Sequence, residues 1–218
     1  MIKNNLTHVP KIILFTDENN LINPITLAKY VPANWGLLIR SYNLTNRKNI
    51  ITAAAKICIK RKIFFIIAND LKMAISLKAS GLHLSEHFKK NYNISPVLTH
   101  KKKLILTTSI HDFYGLNSFN DFKPDLIFLS PINKTASHPD IKPLGIFPFL
   151  ALSKKTSILT YALGGINLKN YNRLMNFKIN GVAGVTLSKN IIQNFNRTPT
   201  RAPFSGVLIC NNVLSRSK

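Results

Sequence analysis

The segment D-L-I-F-L-S-P-I-N-K-T-A-S-H-P-D-I-K-P-L-G, from Asp125 to Gly145, decides the fold class of this chain. Its apolar run, Leu126 to Leu129, is typical of a strand that is buried on both faces of a parallel sheet. At Ser130 the run gives way to a loop of small hydroxyl and basic side chains. In parallel α/β proteins, such a loop at the carboxyl end of a strand is a common place for an anion site. The side chains that could hold phosphate oxygens are Ser130, Lys134, Thr135, Ser137 and His138. The alternative is an ordinary polar loop that Pro139 closes.

Seven other apolar runs alternate with turns and with helical or polar segments. They are Ile12–Phe15, Gly36–Ile39, Ile63–Ile67, Gly81–Leu84, Leu104–Thr107, Ile158–Leu163 and Gly181–Leu187. The intervening segments with helical character are Ile25–Tyr30, Asn49–Lys60, Leu71–Lys78, Leu144–Leu152 and Leu168–Phe177, and less clearly Glu86–His100 and Asp112–Phe122. This alternation predicts an α/β fold, a single (β/α)8 TIM barrel over residues 1–196. A doubly wound open sheet is less favoured, because no G-x-G-x-x-G follows the first run.

The chain is strongly basic. Its 30 lysine and arginine residues against 8 acidic residues give a formal net charge of +22 and a pI near 10.3. Such a charge is typical of nucleic-acid-binding proteins. Here, however, the lysines are spread along the chain, and the tight clusters are limited to Lys60-Arg61-Lys62 and Lys101-Lys102-Lys103. We therefore expect small phosphorylated substrates rather than a nucleic-acid partner.

Other bulk features concern the cellular setting and the C-terminus. Cys58 and Cys210 are too few and too far apart for a disulfide framework or a metal knuckle. No signal peptide precedes the first apolar run and no apolar stretch is long enough to span a bilayer, so we expect a cytoplasmic protein without membrane contact. Residues 197–218 are expected to form a poorly ordered or loosely docked tail. The sequence leaves the oligomeric state open, including a homodimer.

Polar residues gather at the predicted carboxyl ends of the strands, where the functional groups of such barrels lie. Three of the 8 acidic residues, Asp17, Asp70 and Glu86, fall at these ends. Asn69 and Asp70 follow the third run directly, and a carboxylate beside an amide suits Mg²⁺ that also binds a substrate diphosphate. Alternatively, Asp70 only caps the helix that begins at Leu71.

A pair of glycines, Gly164 and Gly165, follows the seventh run in the motif A-L-G-G-I-N. Paired glycines let backbone N–H groups approach a phosphate closely, and the loops after strands seven and eight commonly bind phosphate in these barrels. A tight turn with left-handed backbone explains the same glycines. The two demands are compatible, so both interpretations stay open.

As an ordered set, the motifs of the chain resemble the thiamine-phosphate synthase and thiazole tautomerase family of (β/α)8 barrels. The resemblance covers about residues 11–190. The motifs are F-T-D at Phe15–Asp17, L-L-I-R ending at Arg40, I-I-A-N-D at Ile66–Asp70, G-L-H-L at Gly81–Leu84, T-S-I-H at Thr108–His111, S-P-I-x-x-T-x-S-H at Ser130–His138, P-L-G at Pro143–Gly145 and A-L-G-G-I at Ala162–Ile166. In the synthase, a Mg²⁺-bound pyrimidine diphosphate loses pyrophosphate, and the nitrogen of a thiazole phosphate captures the resulting carbocation.

The resemblance implies a role for each matching position. It implies that Asp70 is a Mg²⁺ ligand and that Arg40 and Asn69 contact the diphosphate. Ser109 would lie near the leaving pyrophosphate. The groups implied to hold the thiazole phosphate are Thr135, Ser137 and the backbone of Gly164, Gly165 and Thr186. Mg²⁺ and the cations would neutralise charge on the leaving group, as ionisation requires.

The chain also departs from the family pattern. The departures are Leu38 and Tyr42 in a diphosphate clamp that usually reads Q-x-R-x-K, Phe88 in place of a second metal-binding aspartate, and His138 in place of a loop lysine. Loss of one metal carboxylate and one clamp lysine would weaken stabilisation of the transition state. We hypothesise that Glu86 replaces the missing metal ligand.

Alternative functions remain open at this point. His111 matches the acid/base histidine of the tautomerase, which needs no metal, and a histidine that titrates near neutrality is suited to moving a ring proton. The synthase branch often has a histidine there as well. A non-catalytic paralogue that binds a phosphorylated ligand is a further alternative. We predict a thiamine-phosphate synthase-like transferase in which His111, Ser109 and Arg40 take part in catalysis.

Overall fold

The structure is a computed structural model that describes residues 6, 8–16, 22–41, 45–100, 103–111, 122–135 and 140–197, without the side chains of residues 90 and 195–197. Its centre is a sheet of eight strands: β1 (Ile12–Phe15), β2 (Gly36–Ile39), β3 (Phe64–Ala68), β4 (Gly81–Leu84), β5 (Ile105–Ile110), β6 (Leu126–Leu129), β7 (Leu159–Leu163) and β8 (Gly181–Gly184). Neighbouring strands pair in parallel, and β1 also pairs with β8, with Ile13 opposite Ala183. The predicted (β/α)8 TIM barrel is confirmed.

Helices follow the strands and cover the outside of the barrel. In the described part of the chain they are α1 (Pro24–Tyr30), α2 (Arg47–Lys60), α3 (Leu71–Ser76), α4 (Glu86–Asn91), α5 (Ser95–Thr99), α6 (Ile146–Ser153), α7 (Tyr171–Met175) and α8 (Val185–Arg197). The predicted segment Glu86–His100 divides into α4 and α5. Residues 112–121 of another predicted segment and residues 198–218 of the predicted tail lie outside the described residues. None of the helices that the structure describes is long and apolar enough to cross a membrane.

The helix α2 shows how the outer layer attaches to the barrel. Its buried residues are Ile51, Ala54, Ala55 and Cys58, a spacing that places them on one helical face. This face packs against α1 and β3. Burial raises the pKa of the Cys58 thiol to about 12, so the side chain is a protonated, apolar part of the core at neutral pH.

Two strands end three residues away from the position that the sequence predicts. β5 continues to Ile110 rather than ending at Thr107, and the hydroxyl of Thr108 is accommodated there by the 2.7 Å bond that its Oγ1 donates to the Leu84 carbonyl. The predicted strand Gly181–Leu187 is wrong at its end, since β8 stops at Gly184 and α8 begins at Val185. Ser188 in the first turns of α8 donates to the Phe15 carbonyl at 2.8 Å, which docks the helix on β1.

Large side chains fill the interior of the barrel. They belong to a buried cluster formed by Ile13, Phe15, Leu38, Ile66, Ala68, Leu126, Phe128, Tyr161 and Ala183. The ring of Phe128 packs edge-on against Phe15, with centroids 4.9 Å apart, and against Tyr161 at 6.1 Å. The Tyr161 hydroxyl donates a hydrogen bond to the Pro10 carbonyl at 2.9 Å, so the polar group of this buried ring has a partner. The interior of the barrel is therefore a packed core.

His83 is a titratable residue within this interior. Its Nδ1 lies 2.9 Å from the Thr107 hydroxyl, and its ring packs against Phe15 and Phe128, with centroids 6.3 and 5.8 Å away. Burial lowers the pKa of His83 to about 3, and the positive charges of Arg40 and Lys89 add to this effect. The folded protein therefore holds His83 neutral over the physiological pH range.

This burial predicts a pH-dependent stability. An unfolded chain takes up a proton on His83 below about pH 6.5 but the folded chain does not until about pH 3, so the free energy of unfolding falls as the pH decreases through this window. Between pH 7 and pH 5 the loss from this residue is about 2 kcal/mol. The free energy of unfolding can be measured by urea denaturation at both pH values. Its decrease from pH 7 to pH 5 should be smaller in His83→Gln than in the unmodified protein, by about 2 kcal/mol. Equal losses in the two proteins would contradict the prediction.

Candidate functional site

The carboxyl ends of the eight parallel strands meet at one rim of the closed barrel. The predicted site residues near these ends are Arg40 after β2, Asn69 and Asp70 after β3, Glu86 at the start of α4, Ser109 within β5, His111 after β5, Ser130 and Thr135 after β6, Gly164 and Gly165 after β7, and Thr186 in the first turn of α8. The fold thus brings them to one end of the barrel rather than scattering them. The predicted residues Asp17, Tyr42, Ser137 and His138 lie outside the described residues.

Arg40 is half-buried at this rim. Its backbone N–H donates to the Thr16 hydroxyl oxygen at 2.8 Å, and the Ser41 hydroxyl donates to the same oxygen at 3.0 Å. The guanidinium carbon lies 5.5 Å from the centroid of the Phe15 ring, within the range of a cation–π interaction. The end of β1 therefore positions the cation that follows β2.

Asp70 uses both of its carboxylate oxygens within the protein. Oδ1 accepts a hydrogen bond from the Met73 backbone N–H at 2.9 Å and caps α3. Oδ2 lies 3.3 Å from Nη1 of Arg47, in an ion pair whose side chains are 22% and 30% exposed for arginine and aspartate. The capping interpretation of Asp70 is confirmed, and its role as a metal ligand stays a prediction.

Arg47 is the residue of the rim that the sequence analysis missed. Its Nε donates to the Ser41 carbonyl at 3.1 Å and its Nη2 to the Ala68 carbonyl at 2.9 Å. Arg47 is also the first residue of α2, where the helix dipole disfavours a positive charge. Little in the sequence signals it, because Arg47 lies eight residues after the predicted end of the second strand and two residues before the predicted helix.

The described residues do not fit a resident Mg²⁺ ion at Asp70. The single negative charge of Asp70 is already compensated by Arg47. Phe88, which stands where the family has its second aspartate, stacks on Tyr92 with ring centroids 4.6 Å apart. In the described ranges, no group of three or more His, Cys, Asp or Glu side chains could hold a metal ion. The predicted Mg²⁺ therefore has no set of ligands among the described residues.

Asn69 ties the ends of β3 and β4 together. Its side-chain amide donates to the Ser85 hydroxyl at 2.9 Å, and its carbonyl oxygen accepts from the Ser85 backbone N–H at 2.9 Å. The backbone of Asn69 is left-handed, with φ of 55°, a conformation that asparagine tolerates better than most residues. Glu86, next to Ser85, lies exposed in the first turn of α4.

Ser109 and His111 project from the end of β5 with different surroundings. The Oγ of Ser109 is buried and has no hydrogen-bond partner among the described residues. His111 is exposed, and its Nδ1 lies 3.1 Å from the Ser130 carbonyl and 3.3 Å from the Ser130 hydroxyl. Because a carbonyl oxygen only accepts, the shorter contact places a proton on Nδ1. Ser109 therefore carries a buried polar atom that no described residue satisfies, and its role at the site stays a prediction.

The paired glycines pack against the loop after β6. Their φ angles are 95° for Gly164 and 65° for Gly165, so both lie in the region that favours glycine. A Cβ on Gly164 would come within 2.8 Å of Pro131 Cα, and one on Gly165 within 2.5 Å of the Lys134 carbonyl oxygen. The Asn133 N–H donates to the Gly164 carbonyl at 3.2 Å. The tight-turn interpretation is therefore confirmed, whereas phosphate binding by this turn stays a prediction.

Comparison with known proteins gives a consistent set of similarities. A family model described as thiamine monophosphate synthase matches residues 37–187. A thiamine-phosphate synthase of Latilactobacillus sakei is 31% identical over 152 residues, which cover 67% of this chain and 67% of that protein. A thiamine-phosphate synthase of Prochlorococcus marinus subsp. pastoris is 31% identical over 131 residues, which cover 60% of this chain but 37% of that longer protein.

Solved structures share the fold at low sequence identity. Thiamine phosphate pyrophosphorylase from Pyrococcus furiosus superimposes with a TM-score of 0.65 at 16% identity, over 92% of this chain and 100% of that one. FabK from Thermotoga maritima reaches 0.62 at 12% identity, over 86% of this chain and 61% of that one. Since differently named proteins superimpose about equally well, these structures support the barrel fold alone.

The packing of the two loops predicts the effect of adding one methyl group. Gly165→Ala places an alanine in left-handed backbone and against the Lys134 carbonyl, so we expect a loss of at least about 2 kcal/mol in the free energy of unfolding. Gly184→Ala is the control, because its φ needs no glycine and the nearest atom lies 3.4 Å away. Its expected change is within about 0.5 kcal/mol in a urea titration. Similar values for the two variants would refute the interlocked packing.

Proposed function

The chain belongs to the thiamine monophosphate synthase family, and on that premise we propose that it is a transferase of thiamine biosynthesis that joins hydroxymethylpyrimidine diphosphate to thiazole phosphate and releases pyrophosphate. The observation that carries the proposal is the extent of the family match. Residues 37–187 include strands β3 to β8 in full, β2 from its second residue, and every predicted site residue from Arg40 to Thr186. The chain spans about two thirds of the Latilactobacillus relative and a smaller share of the Prochlorococcus relative.

The proposed reaction breaks one bond and forms one bond. The carbon–oxygen bond between the pyrimidine methylene and the diphosphate breaks, and pyrophosphate leaves with the electron pair. The thiazole nitrogen then donates its lone pair to the methylene carbon. The barrier lies in separating charge, so groups that neutralise the departing pyrophosphate accelerate the step. Arg40 and Asn69 are proposed to contact the diphosphate. The hydroxyl of Ser109, which has no partner among the described residues, is proposed to donate to an oxygen of the leaving group.

The second substrate carries a single phosphate, and the loops after β6, β7 and β8 are proposed to bind it. Thr135 and Ser137 would donate from their hydroxyl groups, and Gly164 and Gly165 from the backbone. The first turn of α8, at Thr186, has no acidic residue and presents unpaired backbone N–H groups, as the start of a helix does. His138 would supply a cation to the same phosphate when it is protonated.

The alternatives from the sequence analysis are less well supported. The relatives reported above are named thiamine-phosphate synthase, which does not favour an isomerase that uses His111 or a non-catalytic phosphate binder. His111 keeps a proposed part in catalysis, because its contact with Ser130 orients the ring at the rim. The cytoplasmic setting, a homodimer and the lack of a nucleic-acid partner stay predictions.

Ser109 allows a test that separates chemistry from stability. Ser109→Ala removes a hydroxyl that has no partner in the described protein, so the free energy of unfolding should not fall. If the hydroxyl serves the leaving pyrophosphate, kcat/KM for formation of thiamine phosphate from the two substrates should fall about 10- to 100-fold. Product is measured by chromatography.

The matched control is Thr108→Val, one residue earlier in β5. Its hydroxyl donates to the Leu84 carbonyl, so this variant should lose about 1 kcal/mol of stability and keep most of its activity. The proposed function fails if the unmodified protein forms no thiamine phosphate. The assigned role of Ser109 fails if Ser109→Ala retains full kcat/KM.

A further inference from the structure

We propose that Arg47 is the resident cation of the diphosphate-binding rim, so that pyrophosphate binds there without a divalent metal ion. The inference rests on the proposed function for one point only, the location of a diphosphate group at the ends of β2 and β3. Everything else follows from the contacts of Arg47 and Asp70.

The guanidinium of Arg47 is held at this rim by three oxygens. They belong to the Ser41 carbonyl after β2, the Ala68 carbonyl at the end of β3 and the Asp70 carboxylate. Each contact uses a different nitrogen, so the planar group is fixed in orientation. An arginine has five N–H groups, and the other two have no partner among the described residues. With 22% of its side chain exposed, Arg47 remains open to a ligand.

The position of Arg47 is unfavourable for helix stability. It begins α2, whose first turn contains no acidic residue, and the preceding Asn46 has a left-handed backbone and makes no capping hydrogen bond with its side chain. A cation at this end of a helix opposes the helix dipole. The contacts of Arg47 with the ends of β2 and β3 offset this cost in helix stability. The placement therefore suits a residue that supplies positive charge to the rim.

The charges of the described residues favour an anion over a metal ion. The ends of β2 and β3 bring together two guanidinium groups, Arg40 and Arg47, and one carboxylate, Asp70. A divalent cation that approached Asp70 would meet a carboxylate that is already neutralised. A diphosphate meets the guanidinium of Arg47, which still has two N–H groups without a partner among the described residues, and arginine matches phosphate oxygens in a bidentate manner. Asp70 and the diphosphate then compete for the guanidinium of Arg47, and the bound ligand weakens or replaces the ion pair with Asp70.

This arrangement gives Asp70→Asn an effect opposite to the one expected of a metal ligand. Asparagine is as good an N-cap as aspartate, so α3 should keep its cap. The variant removes the charge that competes for Arg47, and pyrophosphate should bind several-fold more tightly. A metal ligand changed to asparagine would instead weaken binding and abolish any dependence on Mg²⁺.

The experiment is calorimetric titration of the full chain with inorganic pyrophosphate, in EDTA and in excess Mg²⁺. We expect dissociation constants within about three-fold of one another in the two buffers, and a loss of at least about ten-fold in Arg47→Met. Arg61→Met is the matched control, because Arg61 follows the last residue of α2 and donates to the Ala28 carbonyl, away from the strand ends. It removes the same charge and should change binding by less than about two-fold. Circular dichroism verifies that each variant is folded.

The outcomes separate this inference from the proposed function. Pyrophosphate binding that needs Mg²⁺ and weakens in Asp70→Asn overturns the role of Arg47 and leaves the transferase proposal intact. Metal-independent binding that tightens in Asp70→Asn supports the inference, even if no thiamine phosphate forms and the transferase proposal fails. Unchanged binding in Arg47→Met overturns the inference whatever the activity.

Discussion

Backbone hydrogen bonds between β1 and β8 close the sheet, and the interior that closure creates has to be filled by side chains of matching size. β7 contributes the large ring of Tyr161, and the neighbouring position in β8 is Gly181, where a Cβ would collide with that ring. Phe15 and Phe128 fill the space further along. The small residues in β8 and the large aromatic residues in β1, β6 and β7 therefore fill the interior together.

At the rim, hydrogen bonds join most neighbouring strand ends to one another. These links are Thr16 with Arg40, Arg47 with Ala68, Asn69 with Ser85, Thr108 with Leu84, Ser130 with His111, Asn133 with Gly164, and Ser188 with Phe15. Most of them use a side chain of one strand end and the backbone of the next. The described residues at the rim are therefore held in place by the barrel itself.

Much of the fold could be predicted from the sequence because strands buried on both faces leave uninterrupted apolar runs. The boundary of β8 could not, since Val185 and Leu187 extend the apolar run, and a short run does not distinguish a strand from the first turn of a helix. The buried positions Leu187, Ser188 and Ile191 have helical spacing. The sequence alone does not show that they are buried, because their burial depends on the docking of α8 on β1. The extension of β5 over Thr108 and Ser109 was not predicted, because hydroxyl side chains end the apolar run and the bond from Thr108 to the Leu84 carbonyl forms only in the folded barrel. At the site, the residue types that follow each strand could be identified from the sequence. The ion pair of Arg47 and Asp70 could not, because its two residues lie 23 positions apart and form no local sequence pattern.

The buried thiol of Cys58 also bears on how the protein responds to oxidants. Thiolates react with peroxides and disulfides, and a thiol whose pKa is about 12 offers almost none at neutral pH. As long as α2 stays packed against α1 and the barrel, this position is chemically silent. The extent of modification at Cys58 would therefore measure the fraction of molecules in which α2 has separated from the barrel. The thiol thus reports local opening of the core.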